Sequence, residues 1–436
     1  MPSVCFVPLC GLRVGHESVL ELGMSLPGLW RRGEAVAQLP ALGTLTLAGA
    51  TPEPWQCLYE PSDRVDSRLK EKLASAQPDL VAVSALTASI EEAYELCDWL
   101  RSQGICVVLG GLHVTACPDE AAQHADVIVL GEGEAVWLDL LDDAMKGSLQ
   151  PQYRSAGRPF RWVIPRYEFL PPRLRRVTLQ TERGCPLACE FCGASRGLGP
   201  FREKPVELIR RELAAICERN PYPRLELADD NTFARTSNVH ALLDALQQSG
   251  AVWFTETDWR LGERPDLLER LAEAGCVEVL IGFESLVFRY PGQGPKAAEP
   301  SRVLRAVDAI QEAGVAVNGC FVVGADGETR QSIDRLARFL ADSPLAEIQL
   351  TLQTPFPGTP LYRRLRREKR LLPDRGWPFY TMFDVVYQPD RMTPQELQQG
   401  FEELIRCVFS TEEVMKRDRI RRQVWQRNPS MRRSRP

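Results

Sequence analysis

Residues 181–195 read TERGCPLACEFCGAS, and they place three cysteines, Cys185, Cys189 and Cys192, in one loop that also contains Gly and Pro. Three thiolates so close in sequence can converge on one metal centre, and iron–sulfur clusters are held by cysteine thiolates. A structural zinc site would need a fourth ligand, and no further Cys or His lies nearby in the sequence. The spacing therefore predicts an iron–sulfur cluster in which one iron has no protein ligand.

Alternating strand and helix patterns follow this loop along the chain. The sequence predicts six strands, at Val177–Gln180, Leu225–Ala228, Val252–Glu256, Val277–Gly282, Val315–Val323 and Glu347–Gln353. Helical patterns lie between them, at Val206–Arg219, Asn238–Ser249, Asp266–Ala274, Ser301–Ala313 and Thr329–Leu340. Six such units predict a partial (β/α)6 barrel of the TIM type over residues 176–370, with its chemistry at the carboxyl ends of the strands.

Residues 1–150 show a second series of strand and helix patterns. Short apolar runs predict strands at Leu80–Ser84, Cys106–Leu109 and Val127–Leu130, and helical patterns lie at Ile90–Gln103 and Glu134–Met145. The α/β alternation predicts a Rossmann-like domain with a ligand crevice at the carboxyl ends of its strands. We expect residues 151–175, which are rich in Pro and Arg, to form a linker. Residues 371–436 are expected to form a short helical C-terminal region with a basic tail.

Length and composition limit the classes of protein that this chain can form. Its 436 residues suffice for two or three domains, and 44% hydrophobic and 25% charged residues are typical of a globular protein. No apolar run reaches the ~18 residues of a membrane span, and the N-terminal sequence lacks the features of a secretory signal. We therefore expect a cytoplasmic protein, in which thirteen cysteines indicate metal or redox chemistry rather than a disulfide framework.

The net charge of −5 is unevenly distributed along the chain. Residues 1–150 carry 9 basic and 21 acidic residues, whereas the last 23 residues carry 9 basic residues and one acidic residue. A basic tail can contact nucleic acid or an acidic partner, but a solvated, frayed C-terminus is the simpler expectation. No basic patch with interleaved aromatic residues appears elsewhere, and this disfavours nucleic acid as the substrate.

The spacing CxxxCxxC, with Phe191 just before the last cysteine, resembles the signature of the radical S-adenosylmethionine (SAM) superfamily. In that family the open iron of a [4Fe–4S] cluster chelates the amino and carboxylate groups of SAM, and an electron then cleaves SAM to a 5′-deoxyadenosyl radical. The resemblance implies that Cys185, Cys189 and Cys192 ligate the cluster and that Phe191 lies at the SAM site. It also implies an electron donor such as flavodoxin or ferredoxin as a partner.

The resemblance continues at the ends of the later barrel strands. In ELADDN it implies that Asp229 and Asp230 lie near the SAM amino group. In IGFES it implies that Glu284 and Ser285 face the ribose or the methionine part of SAM. In VNGCFVVGADGET it implies that Gly324 lets the backbone approach the adenine closely. The segment QTPFPGTPLY is similar to a PxPGTPLY segment found in one branch of the superfamily.

Small residues mark the ends of the predicted front-domain strands. They stand in SAL at Ser84–Leu86, in LGGLHVT and in LGEGE. This arrangement resembles the SxL…GG pattern of cobalamin-binding domains that often precede radical SAM barrels. It implies cobalamin contacts from Ser84, Leu86, Gly110, Gly111, His113, Gly131 and Glu132. The motif DxHxxG, whose His replaces the lower cobalt ligand in many cobalamin enzymes, is absent, so no protein His is expected below the cobalt.

The two resemblances together imply a cobalamin-dependent radical SAM enzyme, and specifically a methyltransferase acting on a weakly activated carbon of a small molecule. One SAM would methylate cobalamin, and a second would give the radical that abstracts a substrate hydrogen before methylcobalamin delivers the methyl group. One alternative is a radical SAM enzyme that catalyses cyclisation, rearrangement or transfer of another SAM fragment, with a degenerate or non-methylating cobalamin domain. A second alternative is an interaction module in a larger assembly.

Overall fold

The computed structural model of the chain describes residues 1–193, 199–234 and 237–433. Its front part contains a six-stranded parallel sheet in the order β2-β1-β3-β4-β5-β6. The strands are β1 (Ser3–Leu9), β2 (Gln56–Tyr59), β3 (Leu80–Ala85), β4 (Cys106–Gly110), β5 (Val127–Leu130) and β6 (Gln152–Arg154). The helices are α1 (Glu17–Ser25), α2 (Pro27–Ala37), α3 (Leu42–Ala50), α4 (Ser67–Ala76), α5 (Ile90–Ser102), α6 (Leu112–Ala116), α7 (Pro118–Ala121) and α8 (Trp137–Met145).

A second six-stranded parallel sheet forms the partial barrel, in the order β14-β13-β12-β11-β10-β7. Its strands are β7 (Val177–Leu179), β10 (Arg224–Leu227), β11 (Val252–Thr257), β12 (Cys276–Glu284), β13 (Ala316–Val323) and β14 (Glu347–Leu352), and a small antiparallel pair is formed by β8 (Glu182–Arg183) and β9 (Arg202–Glu203). The helices are α9 (Val206–Arg219), α10 (Val239–Ser249), α11 (Pro265–Glu273), α12 (Pro300–Glu312), α13 (Arg330–Asp342), α14 (Pro360–Arg367), α15 (Pro394–Val408), α16 (Thr411–Arg427) and α17 (Pro429–Arg433).

The two parallel sheets confirm the α/β class and the order of a front Rossmann-like sheet before a six-stranded barrel. The sequence analysis did not predict β1, β2 and β6, and β6 lies inside the segment expected to be a linker. Strands β2 and β6 are the edges of the front sheet and have only four and three residues. Such short segments carry too little hydrophobic alternation to be recognised from sequence.

The topology of the front sheet determines where a ligand is expected to bind. The strand order reverses at β1, because β2 lies on one side of it and β3 to β6 follow on the other. In open α/β sheets of this kind, ligands bind in a crevice outside the carboxyl ends of the strands. Helix α3 connects this sheet to the barrel, because the buried Leu45 belongs to the barrel core while the buried Ala48 packs on the front sheet.

The described part of the basic C-terminal segment, up to Arg433, is helical and packed on the barrel, and this corrects the expectation of a frayed end. Most of it forms α16, which packs against the amino-terminal ends of the barrel strands. Arg417 is buried, Arg421 forms a 2.6 Å ion pair with Glu347, and the Trp425 indole donates a 2.8 Å hydrogen bond to the Val277 carbonyl. The charges of this segment are therefore partly used to attach it to the barrel.

Asn428, directly after α16, connects this segment to two barrel loops. Its buried amide donates to the carbonyls of Cys276 and Gly314, at 2.7 and 2.9 Å. The side-chain oxygen of Asn428 accepts hydrogen bonds from the backbone N–H groups of Ser430 and Met431. One side chain thus satisfies four backbone groups where α16 meets the barrel.

We predict that Asn428→Ala lowers the free energy of unfolding by about 2–3 kcal/mol, because it leaves two buried carbonyls without a donor. Urea denaturation of the protein measures this change. Asn238→Ala is the control, because Asn238 is exposed and its side chain caps no helix; it should change the value by no more than about 0.5 kcal/mol. Equal effects of the two substitutions would contradict the proposed role of Asn428.

Candidate functional site

The cysteine loop is held by hydrogen bonds to two segments that are distant in sequence. Ala188 N–H donates to the carbonyl of Gly292 at 3.1 Å, and Glu190 N–H donates to the carbonyl of Pro291 at 2.9 Å. On the other side, Leu361 N–H donates to the Glu190 carbonyl at 3.0 Å. The loop is therefore fixed from both sides by the folded barrel.

The charged side chains around Glu190 strengthen this attachment. Arg364 of α14 forms two hydrogen bonds to the Glu190 carboxylate, at 2.9 and 3.3 Å, and pairs with Asp326 at 2.7 Å. Arg370 pairs with the same aspartate at 2.8 Å. Burial raises the pKa of Asp326, whereas the two arginines lower it. The arginines have the larger effect, so the pKa of Asp326 lies below its ordinary value.

The three thiols are close enough to act on one another's pKa values, and none of the three is in a disulfide bond. Burial raises the pKa of Cys189 to about 11, an effect that the Lys296 ammonium opposes, and the two other loop thiols add to it. Burial also raises the pKa of Cys185, against hydrogen bonds from Leu187 N–H and the Asn231 side chain. Binding of iron therefore has to displace protons from these thiols.

The donor set fits a multi-iron cluster better than a single ion. No three His, Cys, Asp or Glu side chains in residues 1–193, 199–234 and 237–433 are close enough to hold one metal ion together. In a four-iron cluster each thiolate binds a different iron, so the ligands stand farther apart than those of one ion. The arrangement of three neighbouring thiols is consistent with that wider geometry.

Asp229 and Asp230 follow β10 but have different surroundings. The buried Asp229 carboxylate accepts hydrogen bonds from Thr181 N–H (2.7 Å), the Thr181 hydroxyl, Glu182 N–H (3.0 Å) and the Thr232 hydroxyl (3.0 Å). These bonds give Asp229 a structural role at the start of the cysteine loop, and its expected contact to SAM stays a prediction. Asp230 is half-buried beside it, and burial together with Asp229 raises the pKa of Asp230 to about 6.

Glu284 forms a buried ion pair with Lys296, a residue that the sequence analysis did not select. Burial alone would lower the pKa of Lys296, but the Glu284 carboxylate outweighs it and raises that pKa above the ordinary value. Gly282 makes the pair possible, because a Cβ there would overlap the Glu284 carboxylate and lie 2.5 Å from the lysine nitrogen. A register shift between Gly282 and Glu284 in β12 accompanies this arrangement.

The other expected SAM residues also have protein partners. Ser285 donates to the buried Glu328 carboxylate and accepts from two backbone N–H groups of its own turn. At Gly324 (φ +101°) the group that comes close to the backbone is the Tyr387 hydroxyl, which donates a hydrogen bond to the Gly324 carbonyl. A Cβ at Gly324 would lie 2.6 Å from that hydroxyl oxygen. Phe191 packs edge-on against Tyr290, with ring centroids 4.7 Å apart.

A cavity of about 270 Å³ lies at the carboxyl ends of the front strands, where the topology predicts a ligand. It brings together most of the residues expected to bind cobalamin: Ser84, Gly110, Gly111, Gly131 and Glu132. Three barrel residues complete the wall: Gln180, Arg183 and Ala228. Gly111 has φ +122°, which disfavours any side chain there. The cavity therefore opens between the front sheet and the barrel.

The structure does not bring Leu86 or His113 to this cavity. Leu86 is 64% exposed, and neither residue is part of the wall. The His113 ring is buried against the Trp377 indole, with centroids 4.9 Å apart, and its Nδ1 lies 3.3 Å from the Thr87 hydroxyl. Burial lowers the pKa of His113, against the effect of Glu120. His113 thus helps attach the C-terminal region to the front sheet.

A network of ion pairs crosses from the front sheet to the barrel beside this cavity. Arg183, on the strand before Cys185, pairs with Glu134 at 2.7 Å and with Glu132 at 3.4 Å. Arg202 pairs with Glu132 at 2.6 Å, and both guanidinium groups lie over the Phe160 ring, at 4.9 and 4.4 Å. The expected cobalamin residue Glu132 is thus also a link between the two sheets.

The comparisons with known proteins agree with this geometry. Residues 179–340 match the family model of the radical SAM superfamily. These residues form a radical SAM domain. Residues 31–141 match the model of the B12 binding domain. The chain is therefore a radical SAM enzyme with a B12 binding domain, and SAM, a [4Fe–4S] cluster and cobalamin are its cofactors.

Two curated relatives and one solved structure indicate the breadth of this group. The bacteriochlorophyllide d C-12(1)-methyltransferase of Chlorobaculum tepidum is 26% identical over 353 residues, covering 78% of this chain and 76% of that protein. The anaerobic magnesium-protoporphyrin IX monomethyl ester cyclase of Cereibacter sphaeroides is 26% identical over 432 residues, covering 88% and 67%. The structure of the cobalamin-dependent SAM radical enzyme OxsB has a TM-score of 0.69 at 16% identity, covering 99% and 72%.

In residues 1–193, 199–234 and 237–433, no helix combines the length and the apolar character that a bilayer crossing requires.

We predict that Gly292→Ala prevents assembly of the cluster without unfolding the protein. A Cβ at this position would overlap the Ala188 carbonyl, and φ is +84°, so the cysteine loop would have to move. Iron and sulfide content after anaerobic reconstitution, with electron paramagnetic resonance of the reduced cluster, measures the loss. The matched control is Gly157→Ala, which has a similar φ of +80° in open space and should keep its iron. Equal iron contents would refute the role of Gly292.

Proposed function

We propose that this cobalamin-dependent radical SAM enzyme is a methyltransferase that acts on a weakly activated carbon of a small molecule. The supporting observation is the wall of the 270 Å³ cavity, which combines front-sheet residues with Arg183 of the strand that leads into the cysteine loop. An enzyme that couples cobalamin to SAM chemistry needs both cofactors at one place. Curated relatives that methylate carbon, such as the Chlorobaculum tepidum enzyme, support the same reaction class.

The cysteine loop and the strand ends beside it are proposed to bind the cluster and SAM. Cys185, Cys189 and Cys192 would ligate three irons. Asp230 is a half-buried carboxylate that would hold the SAM ammonium group. Asp229 is buried, and its oxygens already accept hydrogen bonds from the protein. The Glu284–Lys296 pair, close to Cys189, supplies one charge of each sign for the polar groups of SAM. Ser285, Gly324 and Phe191 would shape the site through their neighbours.

The front cavity is proposed to hold the nucleotide tail of cobalamin, since it is too small for the whole cofactor. Ser84, Gly110 and Gly111 present backbone and a small hydroxyl along one wall, where a bulky side chain would obstruct the tail. Among the described residues of this wall there is no histidine, and a cobalt without a protein His ligand stays part of the proposal. His113 is not assigned to the cofactor.

The cofactors supply the radical and the methyl group when bound, and the protein supplies position and charge. Glu190 and Gly292 hold the cysteine loop in place, and Arg183 fixes the cavity wall relative to it through Glu132 and Glu134. The apolar surroundings of Phe191 and Tyr290 limit water beside the loop. An external electron donor such as flavodoxin or ferredoxin is part of this proposal.

A second candidate is cyclisation or rearrangement of the substrate without methyl transfer. The relative from Cereibacter sphaeroides, a cyclase, covers 88% of this chain and favours it. Both candidates use the cluster and SAM in the same way, and they differ in whether a methyl group reaches the product.

We predict that anaerobic protein with cobalamin, a low-potential reductant and methyl-labelled SAM transfers the label to an added acceptor. Mass spectrometry of extracted products, from candidate metabolites supplied one at a time, provides the measurement. Unlabelled S-adenosylhomocysteine together with label in the product supports methyl transfer. 5′-Deoxyadenosine with an unlabelled, cyclised or rearranged product would instead support the second candidate. Any Cys185, Cys189 or Cys192→Ala variant should form no 5′-deoxyadenosine, whereas Cys57→Ala should behave like the unchanged protein.

We further predict that Asp230→Asn weakens SAM binding by about tenfold or more, because a charge-assisted hydrogen bond to the ammonium group is lost. Equilibrium binding of SAM to the reconstituted protein measures the change, and the cluster spectrum without SAM should stay the same. Asp342→Asn, at an exposed position, is the control and should bind SAM normally. Unchanged affinity in Asp230→Asn would remove Asp230 from the site.

A further inference from the structure

A second cavity, of about 330 Å³, lies at the amino-terminal ends of the barrel strands, opposite the cysteine loop. Strands β10, β11 and β12 form one wall, and helices α2 and α16 cover it. The two helices touch at Gly28, where a Cβ would lie 2.9 Å from a Val414 methyl group. Segments from both ends of the chain thus enclose a space of the size that small-molecule sites have.

Charged side chains dominate the lining of this cavity. They are the arginines Arg31, Arg175, Arg176, Arg224, Arg417 and Arg421 and the acids Glu34, Glu226, Glu278, Glu347 and Asp418. On the α16 side of the cavity the positive charge of Arg421 is neutralised, because Arg421 pairs with Glu347 and Asp418. Arg417 points its guanidinium at the Val408 carbonyl and at Glu413. Arginines that could bind an anion are therefore expected on the opposite side, at the starts of β7 and β10.

The opposite side places like charges next to each other. Leu225 pairs with Val177 across β10 and β7, which puts Arg224 beside Arg176 at the start of these strands. Neighbouring like charges on a sheet are destabilising. Glu226 compensates one of them, through a 3.2 Å ion pair with Arg176. In the described part of the chain, neither Arg224 nor the adjacent Arg175 has an ion-pair partner.

Apolar groups lie next to these arginines. Val252 and Phe254 of β11 contribute to the wall below Arg224, and Trp425 of α16 faces the cavity, with its indole N–H bonded to the Val277 carbonyl. Arginine forks bind phosphate and carboxylate groups in a bidentate manner. A ligand with an anionic group and a small organic body would match both parts of this lining.

We propose that this cavity is a binding site for a small organic anion, with a phosphate or carboxylate group held by Arg224 and Arg175. The site is separate from the reaction centre, because the cysteine loop and the strand ends that carry it lie at the other end of the barrel. The inference is also independent of the methyltransferase proposal. Bound ligand would join the segment before β7, strand β10 and helix α16, and it would stabilise the folded protein in proportion to its occupancy.

The test is calorimetric titration of the reconstituted holoprotein with glycerol 3-phosphate and, separately, with succinate, at constant ionic strength. Saturating SAM is present, so that binding at the cluster end is excluded. We expect saturable binding of at least one of the two anions with a stoichiometry of one. Binding of glycerol 3-phosphate alone assigns the site to phosphates, and binding of succinate alone assigns it to carboxylates.

Substitutions localise the binding. Arg224→Gln should weaken it by about tenfold, the loss expected for one charge-assisted contact. The matched control is Arg305→Gln on α12, an exposed arginine outside the cavity, which should bind as the unchanged protein does. If Arg224→Gln does not fold, Arg175→Gln in the exposed segment before β7 gives the same comparison. Failure of both anions to bind, unchanged affinity in the cavity variant, or an equal loss in Arg305→Gln would overturn the proposal.

Discussion

The hydrogen bonds that converge on the buried Asp229 carboxylate determine how the chain leaves the barrel and enters the cysteine loop. Strand β7 ends at Leu179, so the N–H groups of Thr181 and Glu182 have no partners in the sheet although they are buried. A buried N–H without a partner costs about 1–3 kcal/mol. Asp229, at the end of the adjacent strand β10, accepts from both. The turn that leads to Cys185 is therefore fixed to the strand that also carries Asp230, and the two halves of the site share one support.

The same turn connects the site to the front sheet. Arg183 lies between the residues bound to Asp229 and the first cysteine, and its guanidinium is held by Glu132 and Glu134 in the loop after β5. These pairs are almost completely buried, so their attraction is screened less than that of surface pairs. Movement of the front cavity relative to the cysteine loop would break them. The distance between the front cavity and the cysteine loop is thus set by electrostatics as well as by apolar packing.

Local patterns in the sequence predicted the barrel well, because each of its buried strands and amphipathic helices carries its own signal. Helix α9 was predicted with the bounds that the structure has, Val206–Arg219. Contacts between distant segments could not be predicted in this way. The pairing of Lys296 with Glu284 accompanies a register shift in β12, and His113 is buried against Trp377, which lies 264 residues away. The basic tail was wrongly expected to be frayed. Its arginine Arg421 pairs with Glu347 on strand β14, and no local pattern in the tail indicates this distant partner.

The attachment of the cysteine loop has a consequence for synthesis of the protein. Glu190 is held by Leu361 and Arg364, which are translated more than 170 residues later. While the chain grows on a ribosome, the cysteines leave the exit tunnel long before the segment that fixes them exists. A nascent chain therefore exposes three thiols on a loop with only part of its support. Iron delivered at that stage would meet an unfinished site, so the order of events favours cluster insertion after translation of the barrel is complete.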